Sequence, residues 1–203
     1  MNTYLSSDIE TILKPTNTQI ADCRLPISLI LTDSRKLIDP ATTIFFAIQT
    51  KRNSGAKYVD ELYKKGVRNF VLPAAIEHDV QYGFNRLAKA NLFYVKDTVR
   101  ALQILVANHR NRFDIPVIGI TGSNGKTIVK DWIVQLLSDD RQIVSSPKSY
   151  NSQIGVPLSV WQMAEEHNLG VFEAGISEVG EMSNIQEVIN PTIGIFTNIG
   201  QAH

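Results

Sequence analysis

The stretch Pro116–Leu137, PVIGITGSNGKTIVKDWIVQLL, decides how this chain folds. Its opening run, PVIGI, is short, apolar and rich in β-branched residues, the composition of a buried parallel strand. Farther on, Val129, Trp132, Ile133, Leu136 and Leu137 recur at i, i+3, i+4, i+7 and i+8, the spacing of one apolar helix face. That periodicity predicts a helix from Lys126 or just after it. Between strand and helix lies a glycine loop. It fits the second half of G-x-x-x-x-G-K-[ST] through Gly125, Lys126 and Thr127, while Ile120 stands where the first glycine belongs. Strand, loop and helix follow one another in the order a phosphate-binding loop needs.

The residue types in the loop explain what it would do. Gly122 and Gly125 let the backbone of Ser123 and Asn124 curl so that successive N–H groups point inward, and the helix start adds the positive end of its dipole. Lys126 is then placed to reach the β and γ phosphates of a nucleoside triphosphate, and the Thr127 hydroxyl to ligate Mg²⁺. Ile120 is compatible with this, since it ends the strand and the inward amides come later. The alternative is a chance glycine turn; the flanking strand and helix favour the nucleotide.

Outward from the loop the same alternation continues. Downstream come QIVSS as strand, SQIGVPLSVWQMAEE as turn then helix, LGVFEA as strand, GEMSNIQEVI as helix and TIGIFTNI as strand. Upstream, ISLILTDSR, TIFFAI, NFVLP and NLFYV read as strands around the helical YVDELYKKGV, which Gly66 is placed to end. DTVRALQILVANHRNRF reads as a second upstream helix, capped by Asp97 or Thr98, with Val99, Leu102, Leu105 and Val106 inward. This is the α/β fold class. The polar, basic HRNRFDIP interrupts the apolar periodicity, so the expected domains are 1–112 and 113–203. The sequence stops at GQAH directly after a strand, where a parallel α/β unit normally runs on into a helix, so the second domain is expected to be truncated.

Composition narrows the partners. Twenty basic and twenty acidic side chains among 203 residues cancel to a formal net charge of zero, so no global field recruits nucleic acid or an anionic membrane. There is no basic segment followed by an apolar one at the start, and no apolar run of about 18 residues that would span a bilayer. A cytoplasmic protein is expected. The single cysteine, Cys23, excludes an internal disulfide framework and a multi-cysteine zinc site.

Other candidate residues lie at strand ends. Glu173 closes LGVFE, placing a carboxylate on the rim where open α/β sheets bind ligands, as a metal carboxylate or as a solvated strand end. His203 follows TIGIFTNI and points to the same rim, or to the surface. Asn151 and Ser152, in YNSQIGVP, suit an oxyanion or the cap of the next helix. Asp33, Ser34 and Arg35 follow a strand and suit either a ligand's hydroxyls and phosphate or a turn with a surface ion pair. His78, His109 and His167 sit in polar or helix-end contexts and read as solvated.

Taken together, GITGSNGKT, YNSQIGVP, VFEAGIS and TNIGQAH resemble the Mur ligase family in content, order and spacing. That family's loop runs T-G-[ST]-N-G-K-[ST], so the missing first glycine is its own form. The likeness extends over essentially the whole chain. GKTIVKDW and the N-terminal half are most similar to the subgroup that adds D-Ala-D-Ala to UDP-MurNAc-tripeptide, with the murein tripeptide ligases as nearest rival. SYNSQIGVPLSVWQM and LYKKGVRNFVLP are also similar to bifunctional proteins in which such a ligase precedes an alanine racemase, whose racemase part would lie outside this chain.

The resemblance implies a UDP-substrate domain followed by a truncated P-loop ATPase domain. It implies ATP and Mg²⁺ as cofactors and an acyl-phosphate route to an amide. Gly122, Ser123, Asn124, Gly125, Lys126 and Thr127 would cradle ATP, with Lys126 on the β,γ-phosphates and Thr127 on the first Mg²⁺. Asn151 would sit near the γ-phosphate and the reacting carboxylate, Glu173 would help hold magnesium, and His203 would hold a second Mg²⁺. Ser34 and Arg35 match the family's D-S-R element, which contacts the UDP part of the substrate. One departure is Ala56, in RNSGAKYV, where relatives commonly carry histidine after glycine. Outside the resemblance, a plain P-loop kinase or NTPase and a non-enzymatic nucleotide-sugar binding module stay open.

Overall fold

The computed structural model describes residues 3–49, 54–79, 82–175 and 180–200. Two compact units, Met1–Leu102 and Gln103–His203, divide the chain. The division falls inside a helix, Thr98–Arg110, upstream of the polar HRNRFDIP stretch.

In the first unit the elements run β1 (Tyr4–Leu5), α1 (Ser6–Leu13), β2 (Asn17–Gln19), β3 (Pro26–Ile27), β4 (Leu29–Leu31), β5 (Thr43–Phe46), α2 (Val59–Lys64), β6 (Asn69–Pro73) and β7 (Asn91–Val95). A five-stranded sheet has the order β2-β7-β6-β5-β4, parallel from β4 to β7 with β2 antiparallel on β7. Every residue of β5, β6 and β7 is buried, as expected of parallel strands covered on both faces. Val59 and Leu62 of α2 pack with Phe45, Phe70 and Leu92, and Gly66, at φ +106°, ends that helix.

The opening residues carry no strong apolar period, yet β1, α1 and β2 form there. Buried Asn91 on β7 explains how they are held. Its Oδ1 accepts from the N–H groups of Ala21 (2.8 Å) and Asp22 (3.0 Å), and its Nδ2 donates to Ser6 Oγ at 2.9 Å. Ser6 Oγ in turn donates to Asn69 Oδ1 of β6 at 2.8 Å. Side-chain amides inside the sheet thus anchor an N-terminal segment that local propensity does not specify.

The helix α3 (Thr98–Arg110) is capped by Asp97, whose Oδ1 accepts from Val99 N (2.8 Å) and Arg100 N (3.0 Å). Leu102, Leu105 and Val106 are fully buried, with Val99 half-buried. The solvated reading of His109 is wrong. It is 1% exposed, its ring edge-on to Phe113 and tilted against Trp161, and its Nε2 lies 3.1 Å from the Met163 carbonyl. Arg110 is buried as well, donating from Nε to Ile189 O (2.9 Å) and from its Nη2 to Asn190 O (3.1 Å). Helix-end position in the sequence does not reveal burial by segments 50 to 80 residues away. His167 is half-buried, its Nδ1 accepting from Ala164 N, and His78 is exposed as read.

In the second unit come β8 (Val117–Thr121), α4 (Lys126–Leu137), β9 (Ile143–Ser145), α5 (Gly155–Val160), β10 (Leu169–Glu173), α6 (Glu181–Ile189) and β11 (Ile193–Phe196). Their sheet is parallel throughout, in the order β11-β8-β10-β9. The chain therefore passes to one side of β8 for β9 and β10 and to the other for β11. The carboxyl end of β8 is a point where strand order reverses, the position at which such sheets bind ligands. Val129, Ile133 and Leu137 of α4 pack on Ile118, Ile120 and Val171. Trp132 and Leu136, part of the apolar spacing that announced this helix, instead stand 63% and 77% exposed.

Candidate functional site

At the end of β8 the chain enters the loop through Gly122, at φ +138°, and leaves it through Gly125, at φ +82°, which is the cap residue of α4. Gly122 also admits a close approach: a Cβ there would lie 2.2 Å from Thr197 Oγ1 and 2.9 Å from Asn198 O. No side chain caps α4. The N–H groups of its first turn are thus available to an anion, at the positive end of the helix dipole.

The segment after β11 closes the loop from outside. Ser123 N donates to Asn198 O (3.1 Å), Asn124 N to Asn198 Oδ1 (2.9 Å), and Gly200 N to Ser123 Oγ (3.0 Å). Lys126 folds back over the loop, donating from Nζ to Gly122 O at 2.6 Å. In that pose its ammonium lies against the loop backbone, and Lys126 lines the cavity above.

Beneath the loop, Thr127 Oγ1 donates to Glu173 Oε2 at 3.0 Å. Glu173 is fully buried, not a solvated strand end. Its backbone N donates to Ser146 Oγ at 3.1 Å. The second carboxylate oxygen, Oε1, has Lys130 Nζ at 3.3 Å in an ion pair, but the geometry misses a hydrogen bond and leaves Oε1 without a donor. A hydroxyl and a carboxylate side by side, with one buried oxygen lacking a donor, fit a hard divalent cation. Among the described residues no cluster of three or more His, Cys, Asp or Glu could hold a metal. The Thr127 hydroxyl and the Glu173 carboxylate are a donor pair of the kind Mg²⁺ takes, with phosphate oxygens and water making up its octahedron.

A cavity of about 640 Å³ opens over the loop, lined among others by Gly122, Lys126, Asn151, Gly175 and Asn198. Asn151 and Ser152 both line this cavity. Ser152 Oγ accepts from Gly155 N (3.1 Å) at the start of α5, and the Asn151 carbonyl accepts from Gly175 N at 2.8 Å. The structure therefore gathers Gly122, Ser123, Asn124, Lys126 and Asn151 around one cavity, with Thr127 and Glu173 paired at the foot of the loop. His203 lies outside the described residues.

Ser34 and Arg35 belong to the first unit, in a short 3-10 turn (Ser34–Lys36) after β4. Ser34 is buried, and the Arg35 side chain is 86% exposed. Asp33 grips Arg35, accepting from its Nε at 2.9 Å and its Nη2 at 2.7 Å. Those hydrogen bonds hold the Asp33 carboxyl down at about 2. Ala56, where the resemblance leads one to expect histidine, is buried within the apolar cluster of this unit.

Two residues beside the loop, Asn198 and Lys130, are not marked by the loop motif. Asn198 sits in TNIG with no charge or period to mark it. Lys130 carried a weak signal: it lies three residues after Thr127 and therefore on the same helix face, although the adjacent Asp131 makes a surface ion pair the simpler reading of the sequence.

Residues 120–203 match the Mur ligase middle domain. Over its whole length the chain is 31% identical to a UDP-N-acetylmuramoyl-tripeptide–D-alanyl-D-alanine ligase of Synechocystis sp., of which it covers 43%. A ligase of the same name from Treponema pallidum is 33% identical over 84% of this chain and 37% of its own. A crystal structure of MurF from Acinetobacter baumannii superposes on the whole chain with a TM-score of 0.85 at 25% identity, covering 42% of that protein. The chain thus spans about two fifths of the length of the relatives it matches.

Proposed function

We infer, since the chain belongs to the Mur ligase family, that it serves ATP-dependent amide formation in peptidoglycan-precursor synthesis, joining D-Ala-D-Ala to UDP-MurNAc-tripeptide. The observation that carries this is the phosphate loop at the switch point of the second sheet, with Thr127 and Glu173 paired at its foot. In this reading a tripeptide carboxylate oxygen attacks the γ-phosphorus and ADP leaves. The amine of D-Ala-D-Ala then attacks the acyl carbon, and phosphate leaves.

Charge explains the composition of the site. A carboxylate approaching a triphosphate brings like charges together, about 4 kcal/mol for two unit charges at 4 Å and an effective dielectric of 20. Mg²⁺, when bound, supplies neutralising charge on the phosphate oxygens. Lys126 adds a second positive group, and the α4 amides orient the phosphate chain. Asn151, which lines the same cavity, would hold the incoming carboxylate in line. Thr127 and Glu173 would hold the metal, with His203 as a further ligand.

We assign the first domain, residues 1–112, to the UDP part of the substrate through Ser34 and Arg35. The amine-substrate part is assigned to the portion of such enzymes that this chain does not match. A fused alanine racemase rests on sequence likeness alone, and a cytoplasmic setting follows from the proposed substrates. In the described residues no helix is long and apolar enough to cross a membrane.

The test is calorimetric titration of the chain with Mg·ATP and, separately, with UDP-MurNAc-tripeptide. Both are expected to bind, and Lys126→Ala is expected to weaken only the nucleotide, by at least ~30-fold, the effect of losing a charge-assisted contact of about 2 kcal/mol. The 203-residue chain is expected to release no phosphate when given ATP, UDP-MurNAc-tripeptide and D-Ala-D-Ala together. Equal nucleotide affinity in wild type and Lys126→Ala would sink the loop assignment, and sustained turnover would sink the division of labour.

A further inference from the structure

We propose that Lys130 is a positioning residue for the Glu173 carboxylate, holding it in the orientation that serves Thr127 and the metal; this rests on the nucleotide reading above. Thr127 and Lys130 sit one turn apart on α4 and reach the two oxygens of one carboxylate, Thr127 Oγ1 at 3.0 Å from Oε2 and Lys130 Nζ at 3.3 Å from Oε1. Glu173 is fully buried, and the Lys130 side chain is 4% exposed. A lysine so deeply placed is uncommon unless its charge is matched.

The rest of the lysine's surroundings hold it in place. Its ammonium donates to Ser146 O at 3.0 Å and to Lys148 O at 2.6 Å, beyond the end of β9. Asp131 Oδ1, on the exposed side of the helix, lies 3.2 Å away. Ser146 closes the arrangement by accepting from the Glu173 backbone N–H through its hydroxyl. One ammonium thus ties α4, the end of β9 and the end of β10 together directly under the loop.

Two consequences follow from this geometry. Two carbonyl bonds fix the ammonium whatever Glu173 does, so the lysine is a preset point charge rather than a mobile partner. Because its contact to Oε1 lacks hydrogen-bond geometry, the carboxylate is attracted and aligned while both of its oxygens keep lone pairs for other partners. The cation steers Glu173 without consuming it. Removing the charge frees the carboxylate to rotate away from Thr127, which weakens metal-dependent binding but leaves the loop's own grip on phosphate unchanged.

The experiment titrates ADP into the chain by calorimetry, in excess EDTA and across a Mg²⁺ series, for wild type, Lys130→Met, Lys130→Gln, Glu173→Gln and the double variant Lys130→Met/Glu173→Gln. Lys130→Gln keeps donors for the two carbonyls but no charge, so it separates scaffold from steering if the methionine variant does not fold. Expected are a Mg²⁺ requirement raised about tenfold in both Lys130 variants, ADP affinity in EDTA within twofold of wild type, and no further loss on adding Lys130→Met to Glu173→Gln. An unchanged Mg²⁺ requirement in Lys130→Gln overturns the proposal, as does additivity in the double variant. Equal losses with and without Mg²⁺ also overturn it, because they mark a merely structural lysine. Failure of the wild type to bind ADP under any condition overturns the nucleotide reading itself, and this inference with it.

Discussion

His109 is the residue whose chemistry departs furthest from what its sequence context suggests. Burial pushes its imidazole down to about 4, outweighing the backbone carbonyl contacts that favour its proton. The ordinary value in an unfolded chain is near 6.5. Between those values the unfolded state binds a proton that the folded state refuses, so the unfolded state gains as pH falls. The stabilisation is therefore complete above about pH 6.5 and is lost progressively down to about pH 4, a change on the order of 3 kcal/mol from this one group. Urea denaturation at pH 7.5 and pH 4.5 measures it: His109→Gln is expected to flatten the pH dependence relative to wild type while lowering stability at pH 7.5. An identical slope in both proteins would show that other groups carry it. Lys126 and Thr127 were legible because their spacing is a chemical rule. His109, Arg110 and Asn198 were not, because each is defined by groups 50 to 80 residues away.

At the scale of elements, periodicity located strands and helices well wherever one face is buried. The strands β5, β6, β7, β8 and β10 are apolar runs whose parallel pairing buries them, and each was visible as such. By contrast β1, α1 and β2 depend on buried amide contacts of Asn91 and Asn69, which leave no local pattern. Helix α4 shows what periodicity leaves open. It announces a helix, but its seven apolar positions span more of the helix circumference than one packed face covers. Val129, Ile133 and Leu137 meet the sheet, while Ile128, Trp132 and Leu136 form an exposed row at i, i+4 and i+8. A substitution in that row should cost the fold little: Leu136→Lys is expected within about 0.5 kcal/mol of wild type in urea denaturation. Ile120→Ala, in the fully buried end of β8, is expected to cost about 2–5 kcal/mol in the same assay. Similar losses from both would mean that the outer row is covered in solution.

For the molecule as a whole, the zero net charge assigns all anion recognition to local geometry. The residues proposed to hold nucleotide all come from one compact unit: the β8–α4 loop, the end of β10, the turn before α5 and the segment after β11. Ser34 and Arg35 belong to the other. Ligand-induced protection should follow that division. A nucleotide at a hundred times its dissociation constant stabilises the binding-competent state by about 2.7 kcal/mol, slowing roughly 100-fold the exchange of amides whose opening is incompatible with binding. With Mg·ADP, hydrogen exchange is therefore expected to slow most at residues 122–127 and 197–200. Ser123 N and Asn124 N should respond strongly, since their present acceptors are both atoms of Asn198 and the bound phosphate competes for the same donors. Amides of β5, β6 and β7 are expected to change by less than about twofold, because their protection reflects opening of a sheet that nucleotide does not touch. Protection centred on residues 30–36 instead would move the nucleotide to the turn at Ser34 and Arg35. It would leave the loop after β8 without the role proposed for its amides, its lysine and the paired hydroxyl and carboxylate.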